Sequence, residues 1–248
     1  MLIQKALGNP GMLLRRSNSL NAKEKRKRIV FFDFDNTITP SDVLDDIIKQ
    51  FAIDDKWVAY EESWAAGKIG SKECLEGQLR SLRVTKRKLS HYLSTIEIDP
   101  SFARLLELLK RKKISSVIVS DSFSFIIKEI LRHSGVRKTK IYANKLNFRN
   151  DKLIPSFPYL NQDCSRCAHC KKRHIFEHSD KITIYVGDGL SDICPAEHAN
   201  VVFAKNGLLD HLRKRHMPCF EFKQLEDVLV YFEEMATEGQ GKKVYASV

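Results

Sequence analysis

The stretch Ile29-Val30-Phe31-Phe32-Asp33-Phe34-Asp35-Asn36-Thr37 decides the fold. Its β-branched and aromatic run ending in two carboxylates reads as a buried strand that delivers charge to a site. Burying the apolar part is favourable, but aspartates at its tip are costly unless something cationic meets them. A divalent metal at a phosphate-handling site accounts for both.

Similar runs lie downstream. Ser116–Val119 ends at Ser120-Asp121, Ile182–Val186 ends at Gly187-Asp188, and Val201–Phe203 precedes Ala204-Lys205. Weaker strand signals cover Lys140–Ala143 and Cys219–Phe222. Between them lie amphipathic helical patterns. Phe123, Ile126, Ile127, Ile130 and Leu131 share one face, as do Phe102, Leu105, Leu106 and Leu109 behind Pro100. This alternation implies a parallel sheet covered on both faces, an α/β fold. From Thr37 to Ser116 there is far more chain than one crossover helix needs. It reads as five helices, near 41–51, 55–66, 71–82, 85–96 and 100–112, of which the last alone is required to return to the sheet. Residues 40–98 are therefore expected as a helical unit over the strand tips. Ligands of open α/β sheets bind beyond the carboxyl ends of the strands, where Asp33, Asp35, Ser120, Asp121 and Asp188 all fall.

Composition sets the bounds. The 248 residues are 43% hydrophobic and 29% charged, with a net charge of +11, the profile of a globular protein. Residues 1–28 carry eight Lys/Arg against one Glu, leaving a mildly basic remainder that suits anionic small substrates and implies no nucleic acid partner. The 1–28 segment itself reads as a solvated tail, an organelle transit peptide, or a basic patch at Lys23–Arg28. No apolar stretch reaches the roughly 20 residues of a membrane span. Six cysteines without a secretory signal suit a reducing, cytoplasmic setting, with a mitochondrial or other organelle address left open by the basic N-terminus. Oligomeric state is not written in the sequence.

Asp33 and Asp35, two apart at a strand end, project to the same side, and Asp188 and Asp192 form a second acidic pair. Hard oxygen ligands of this kind suit Mg2+. Cys164, Cys167 and Cys170 have two readings: a zinc site completed by His169, His174 or His178, or a loop that packs without metal.

These motifs carry a resemblance. Asp33-Phe34-Asp35-Asn36-Thr37 resembles the DxDxT motif of the haloacid dehalogenase superfamily of phosphatases, Ser120 its second motif, and Gly187–Asp192 its GDxxxD motif. The resemblance implies a three-layer Rossmann-like core (29–39 and 99–240) with an all-helical C1-type cap (40–98). It further implies an aspartyl-phosphate mechanism: Asp33 as nucleophile, Asp35 as acid and then base, and Ser120 as a hydrogen-bond donor to phosphate. Mg2+ would be held by Asp33, the Asp35 carbonyl and Asp188, with Asp192 in support. In the resembling subgroup the lysine of the third motif follows a cysteine, so Lys171 after Cys170 is the candidate, with Lys172 next and Lys145 and Lys152 behind. Val186–Pro195 is similar to phosphocholine/phosphoethanolamine phosphatases. Trp64, Gly67, Ile69, Ser71, Glu73, Cys74, Leu75 and Gln78 are similar to methylthiopentenyl-1-phosphate phosphatases. A Mg-dependent hydrolase of small phosphorylated metabolites is the leading function. A non-catalytic module using the cysteine loop or basic tail, or a phosphotransferase, are the alternatives. Asp42, Asp45, Asp46, Trp57, Tyr60 and Trp64 are candidates for substrate contact.

Overall fold

The computed structural model describes residues 26–235; the 1–28 segment therefore lies almost wholly outside the described residues. A seven-stranded sheet runs in the order β4-β3-β2-β1-β5-β6-β7. Its strands are β1 (Arg28–Phe32), β2 (Ser115–Phe123), β3 (Lys140–Arg149), β4 (Lys152–Ser156), β5 (Ile182–Gly187), β6 (Val201–Ala204) and β7 (Phe220–Glu221). All neighbours are parallel except β3 and β4, which form an antiparallel hairpin at the edge.

The side-chain alternation of a strand sorts β1 between two cores. Val30 and Phe32 enter one cluster with Phe102, Leu105 and Leu109 of α5 (Ser101–Arg111), Ile126, Ile127 and Ile130 of α6 (Ser124–His133), and Val228 and Phe232 of α10 (Leu225–Glu234). Ile29 and Phe31 enter the other with Ile175 of α7 (Lys171–Phe176), Ala196 of α8 (Ile193–Ala196), and Leu208 and Leu212 of α9 (Asn206–Lys214). Helices on both faces make three layers, the α/β architecture expected.

Four helices fill the stretch after β1: α1 (Val43–Phe51), α2 (Lys56–Ala65), α3 (Ser71–Arg80) and α4 (Lys86–Leu93). The chain departs and returns at one place, because the Asp99 N–H donates to the Ile38 carbonyl at 2.8 Å. Asp42 caps α1 through the N–H groups of Leu44 and Asp45. The inserted helices lean back on the core through Val84 N–H to Asp151 O and Ser71 N–H to Arg166 O, both at 2.8 Å.

The β4 strand was not among the sequence expectations. Pro155 within it argues against a central strand, but the edge of a sheet tolerates proline. Asn150, at φ 57°, supplies the left-handed residue that turns the hairpin.

Gly70, at the start of α3, sits where a Cβ would come within 1.9 Å of the Ser165 carbonyl oxygen. Main chain cannot yield cheaply there, so Gly70→Ala is expected to cost about 1–3 kcal/mol by forcing the two segments apart. A lower urea midpoint at unchanged slope checks it.

Candidate active site

Register brings the strand tips together: Phe32 pairs with Ile118 on one side and Val186 on the other. The Asp33 N–H continues the ladder to Val186 O at 2.9 Å, after which the chain turns. Phe34 O accepts the N–H groups of Thr37, Ile38 and Thr39, and Asn36 takes φ 54°. Asp33, Asp35, Ser120, Lys171 and Asp188 then line one cavity of about 280 Å³, sized for a small metabolite.

Asp33 is 5% exposed, Asp188 8% and Asp192 fully buried. Lys171, the first residue of α7, answers them. Its ammonium donates to Asp33 Oδ1 at 2.6 Å, Asp192 Oδ1 at 2.8 Å and Ser191 Oγ at 2.9 Å, with Asp121 Oδ1 at 4.0 Å. Burial works against that ammonium, yet Asp192 and Asp33 together hold its pKa well above the usual lysine value.

The three carboxylates do not share this cation equally. Asp192 Oδ1 also accepts the Tyr185 hydroxyl at 2.7 Å, and its Oδ2 accepts the N–H groups of Asp188 and Gly189 at 2.9 and 3.0 Å. Burial opposes its ionisation, but Lys171 and these donors hold its pKa below the ordinary carboxylate range. Asp33 is raised well above that range by burial and by Asp192, despite Lys171. Burial and Asp192 push Asp188 up to about 6. The site therefore holds more buried carboxylate than its one ammonium can neutralise.

A divalent cation fits this deficit. Ligand oxygens of Asp33, Asp188 and Asp192 lie within 4.8 Å of one another, the one such His/Cys/Asp/Glu cluster among the described residues. Asp192 already has both oxygens doubly engaged, whereas Asp188 receives only long bonds, 3.4 Å each, from Thr37 Oγ1 and Asn206 Nδ2. Asp33 and Asp188 are thus the carboxylates with coordination to offer.

Asp35 is half-buried; its Oδ1 accepts the Val43 N–H at 3.0 Å, and burial and Asp42 hold its pKa well above the usual value. The Ser120 hydroxyl, 1% exposed, accepts the Ser122 N–H at 3.0 Å. Lys172 instead lies over the Phe176 ring, and Lys145 and Lys152 are exposed on the β3–β4 hairpin. The inserted helices contribute Asp42, Asp45, Glu61, Trp64, Cys74 and Gln78 to the cavity wall. Trp57 packs on the core, Tyr60 against Gly77, and Asp46 accepts the Ser41 hydroxyl, so these three candidates do not line it.

Among the described residues the three loop cysteines join no histidine in a metal-sized cluster. His169 and His174 bond each other instead, Nε2 to Nε2, at 2.7 Å. Sequence reasoning missed Tyr185 and Thr37 as partners of the acidic groups. The alternation along β5, which turns Tyr185 away from the Ile184–Val186 core, was the signal available for the first.

Comparison with known proteins shows the family. The family model described as "Putative Phosphatase" matches residues 28–215, and the chain belongs to that family. Curated relatives include 2-hydroxy-3-keto-5-methylthiopentenyl-1-phosphate phosphatases. The one from Brevibacillus brevis is 25% identical over 219 residues, covering 86% of this chain and 98% of its own. The one from Bacillus cereus strain B4264 is 28% identical over 210 residues, covering 80% and 93%. A substrate-bound phosphoserine phosphatase shares the fold at TM-score 0.64 and 22% identity, over 84% of this chain and 99% of that one. A haloacid dehalogenase family hydrolase from Salmonella enterica serovar Typhi reaches 0.68 at 18%, over 92% and 82%. The chain is a phosphatase, a hydrolase of phosphoric monoesters, on a haloacid dehalogenase-type α/β fold. Among the described residues no helix is long and apolar enough to cross a membrane.

Crowded carboxylates make a pH signature. Asp188 keeps its proton up to about pH 6 in the native protein but only to about pH 4 unfolded. Between those values the native state binds more protons, so raising the pH lowers stability. With chelator present, the urea midpoint is expected to fall from about pH 4 to about pH 7 by an amount that Asp188→Asn reduces, and a divalent salt to restore it. A midpoint indifferent to Asp188→Asn would contradict the assignment.

Proposed function

We propose that this phosphatase is a Mg2+-dependent hydrolase of small phosphate monoesters, with Asp33 as the group that takes the phosphoryl covalently. The observation that carries the reading is Lys171: a fully buried ammonium held 2.6 Å from Asp33 at the meeting point of three strand ends. A carboxylate can approach a phosphate only if local positive charge offsets their repulsion. Mg2+, held by Asp33, Asp188 and the Asp35 carbonyl with Asp192 in support, would supply that charge when bound.

The chain's own groups divide the remaining work. Lys171 exchanges one of its acceptors for a phosphoryl oxygen and keeps Asp192. Ser120 donates its hydroxyl hydrogen, free because its oxygen only accepts from Ser122, to a second oxygen. Asp33 attacks phosphorus in line with the departing alkoxide. Asp35 has the raised pKa a general acid needs, with Oδ1 anchored on Val43 and Oδ2 left to protonate the leaving oxygen. The resulting carboxylate then deprotonates the water that opens the aspartyl-phosphate. The inserted helices act as the cap that covers this exchange.

The wall that faces the leaving group points to the substrate. Asp42, Asp45 and Glu61 line it with Trp64, and Lys171 at its base is the one Lys or Arg among the described lining residues. Burial and Glu61 raise the Asp45 carboxyl, and no arginine stands there to receive a substrate carboxylate. This chemistry suits a phosphorylated alcohol with a cationic end, in keeping with the phosphocholine/phosphoethanolamine resemblance, more than the neutral carbon chain of the methylthiopentenyl relatives.

Asp33→Asn is expected to abolish Mg2+-dependent turnover of an aryl phosphate while the circular dichroism spectrum stays native; full activity in that variant would reject the mechanism. Glu61→Gln is expected to raise KM roughly tenfold for a phosphorylated amino alcohol and leave a neutral alkyl phosphate nearly unchanged. Equal effects on both esters would remove the cation assignment and leave the phosphatase reading standing.

A further inference from the structure

Lys171 occupies the first position of a six-residue helix, too short to hold itself in shape. Something else must fix the ammonium that the site depends on. At the start of α7 lie two imidazoles that the reaction does not use, His169 just before the helix at 1% exposure and His174 within it at 0%. Their Nε2 atoms are 2.7 Å apart. Tyr142 stacks on His174 with ring centroids 4.1 Å apart and planes 9° from parallel, and Tyr159 stacks on His169 at 4.7 Å. The same residues carry main-chain anchors. The Lys171 N–H donates to His169 O, and the Cys170 N–H to Tyr159 O, each at 2.9 Å.

With both rings neutral, one hydrogen lies between the two Nε2 atoms. Glu177 Oε2, 3.3 Å from His174 Nδ1, favours a hydrogen on that nitrogen, and the main-chain carbonyl of Ser120 favours one on His169. His169 Nδ1 is buried without a well-formed hydrogen bond. Burial, His174 and Lys171 push His169 down to about 2, and burial lowers His174. A second positive charge beside Lys171 is thereby avoided.

We propose that His169 and His174, joined by one N–H···N hydrogen bond and clamped between Tyr142 and Tyr159, are the positioning element that sets the start of α7 and aims Lys171 at Asp33. Neither imidazole touches the phosphate; both act through Lys171. The proposal rests on the role given to Lys171 above.

The test uses the whole protein. In 15N-histidine-labelled wild type, one of the two Nε2 atoms should report a bound hydrogen, with a scalar coupling across the hydrogen bond to the other Nε2. His169→Phe keeps the ring stack and removes the hydrogen-bonding nitrogen, whereas His169→Gln keeps a hydrogen-bonding group near the same place. With an aryl phosphate and Mg2+, the Phe variant should lose roughly 10- to 100-fold in kcat while KM moves less than about threefold. The Gln variant should recover most of that loss. The Lys171 side-chain resonances should shift in the Phe variant and stay near wild type in the Gln variant. Absence of the coupling, or equal behaviour of the Phe and Gln variants, overturns the proposal; if the Phe variant does not fold, the wild-type coupling and the Gln variant decide it. Wild-type protein that turns over no phosphate ester would defeat the functional reading instead, and the Lys171 resonances would still report on positioning.

Discussion

A single ammonium organises the site. Lys171 has three N–H donors, and all three are taken, by Asp33, Asp192 and Ser191. Because its side chain is 2% exposed, no water substitutes for a lost partner, and removing it leaves two buried carboxylates facing each other. Such a deletion typically costs about 3–5 kcal/mol. The full occupancy of Lys171 also has a consequence for binding. In the proposed mechanism a phosphoryl oxygen would gain this donor by displacing Ser191 or Asp33, because Asp192 is the partner that other donors hold in place.

Asp192 shows why two acidic groups in one motif behave differently. Its four acceptor positions are filled by Lys171, Tyr185 and two main-chain N–H groups. The main chain has to pass very close for that. A Cβ on Gly187 would lie 2.6 Å from Asp192 Oδ2 and 2.9 Å from the Tyr185 ring. Gly187 is therefore required by the carboxylate that folds over it, not by its own dihedral angles. Asp192 becomes a fixed anion that anchors Lys171, while Asp33 and Asp188 keep the higher proton affinity and Asp188 the less engaged oxygens. One pattern of aspartates yields one fixed anion and two carboxyls with raised proton affinity because hydrogen-bond donors are unequally distributed.

Elements whose apolar period sets their burial were legible in the sequence. The β1, β2, β5 and β6 runs lie within a few residues of their observed ends, and the helices near 41–51 and 100–112 appear as Val43–Phe51 and Ser101–Arg111. Asp33, Asp35, Ser120 and Asp188 converge because strand tips converge in a parallel sheet, and Lys171 reaches them from the head of α7. Features set by tertiary packing were not legible. The α7 helix has no apolar period and is held by Ile175 in the second core together with the imidazole and tyrosine stacks. Tyr60 and Trp57 have the composition of a substrate wall, yet the small Gly77 and the core claim their rings. No sequence pattern distinguishes an aromatic that faces ligand from one that faces a glycine on the next helix.

The cavity wall and the reacting centre are joined by one short segment. Arg166 O holds the Ser71 N–H at the head of α3, and Ser165 lies flat on Gly70. Four residues later Cys170 is tied to Tyr159, and Lys171 begins α7. The far wall of the cavity, with Gln78 and Glu61 bonded at 2.6 Å, is thus tied to the same loop that leads into Lys171. In the proposed mechanism, a leaving group that pushes α3 outward acts on that loop, whose next fixed point is Lys171. Poor fit at one end of the substrate would then be felt as misplaced charge at the other, so that discrimination would enter kcat as well as binding.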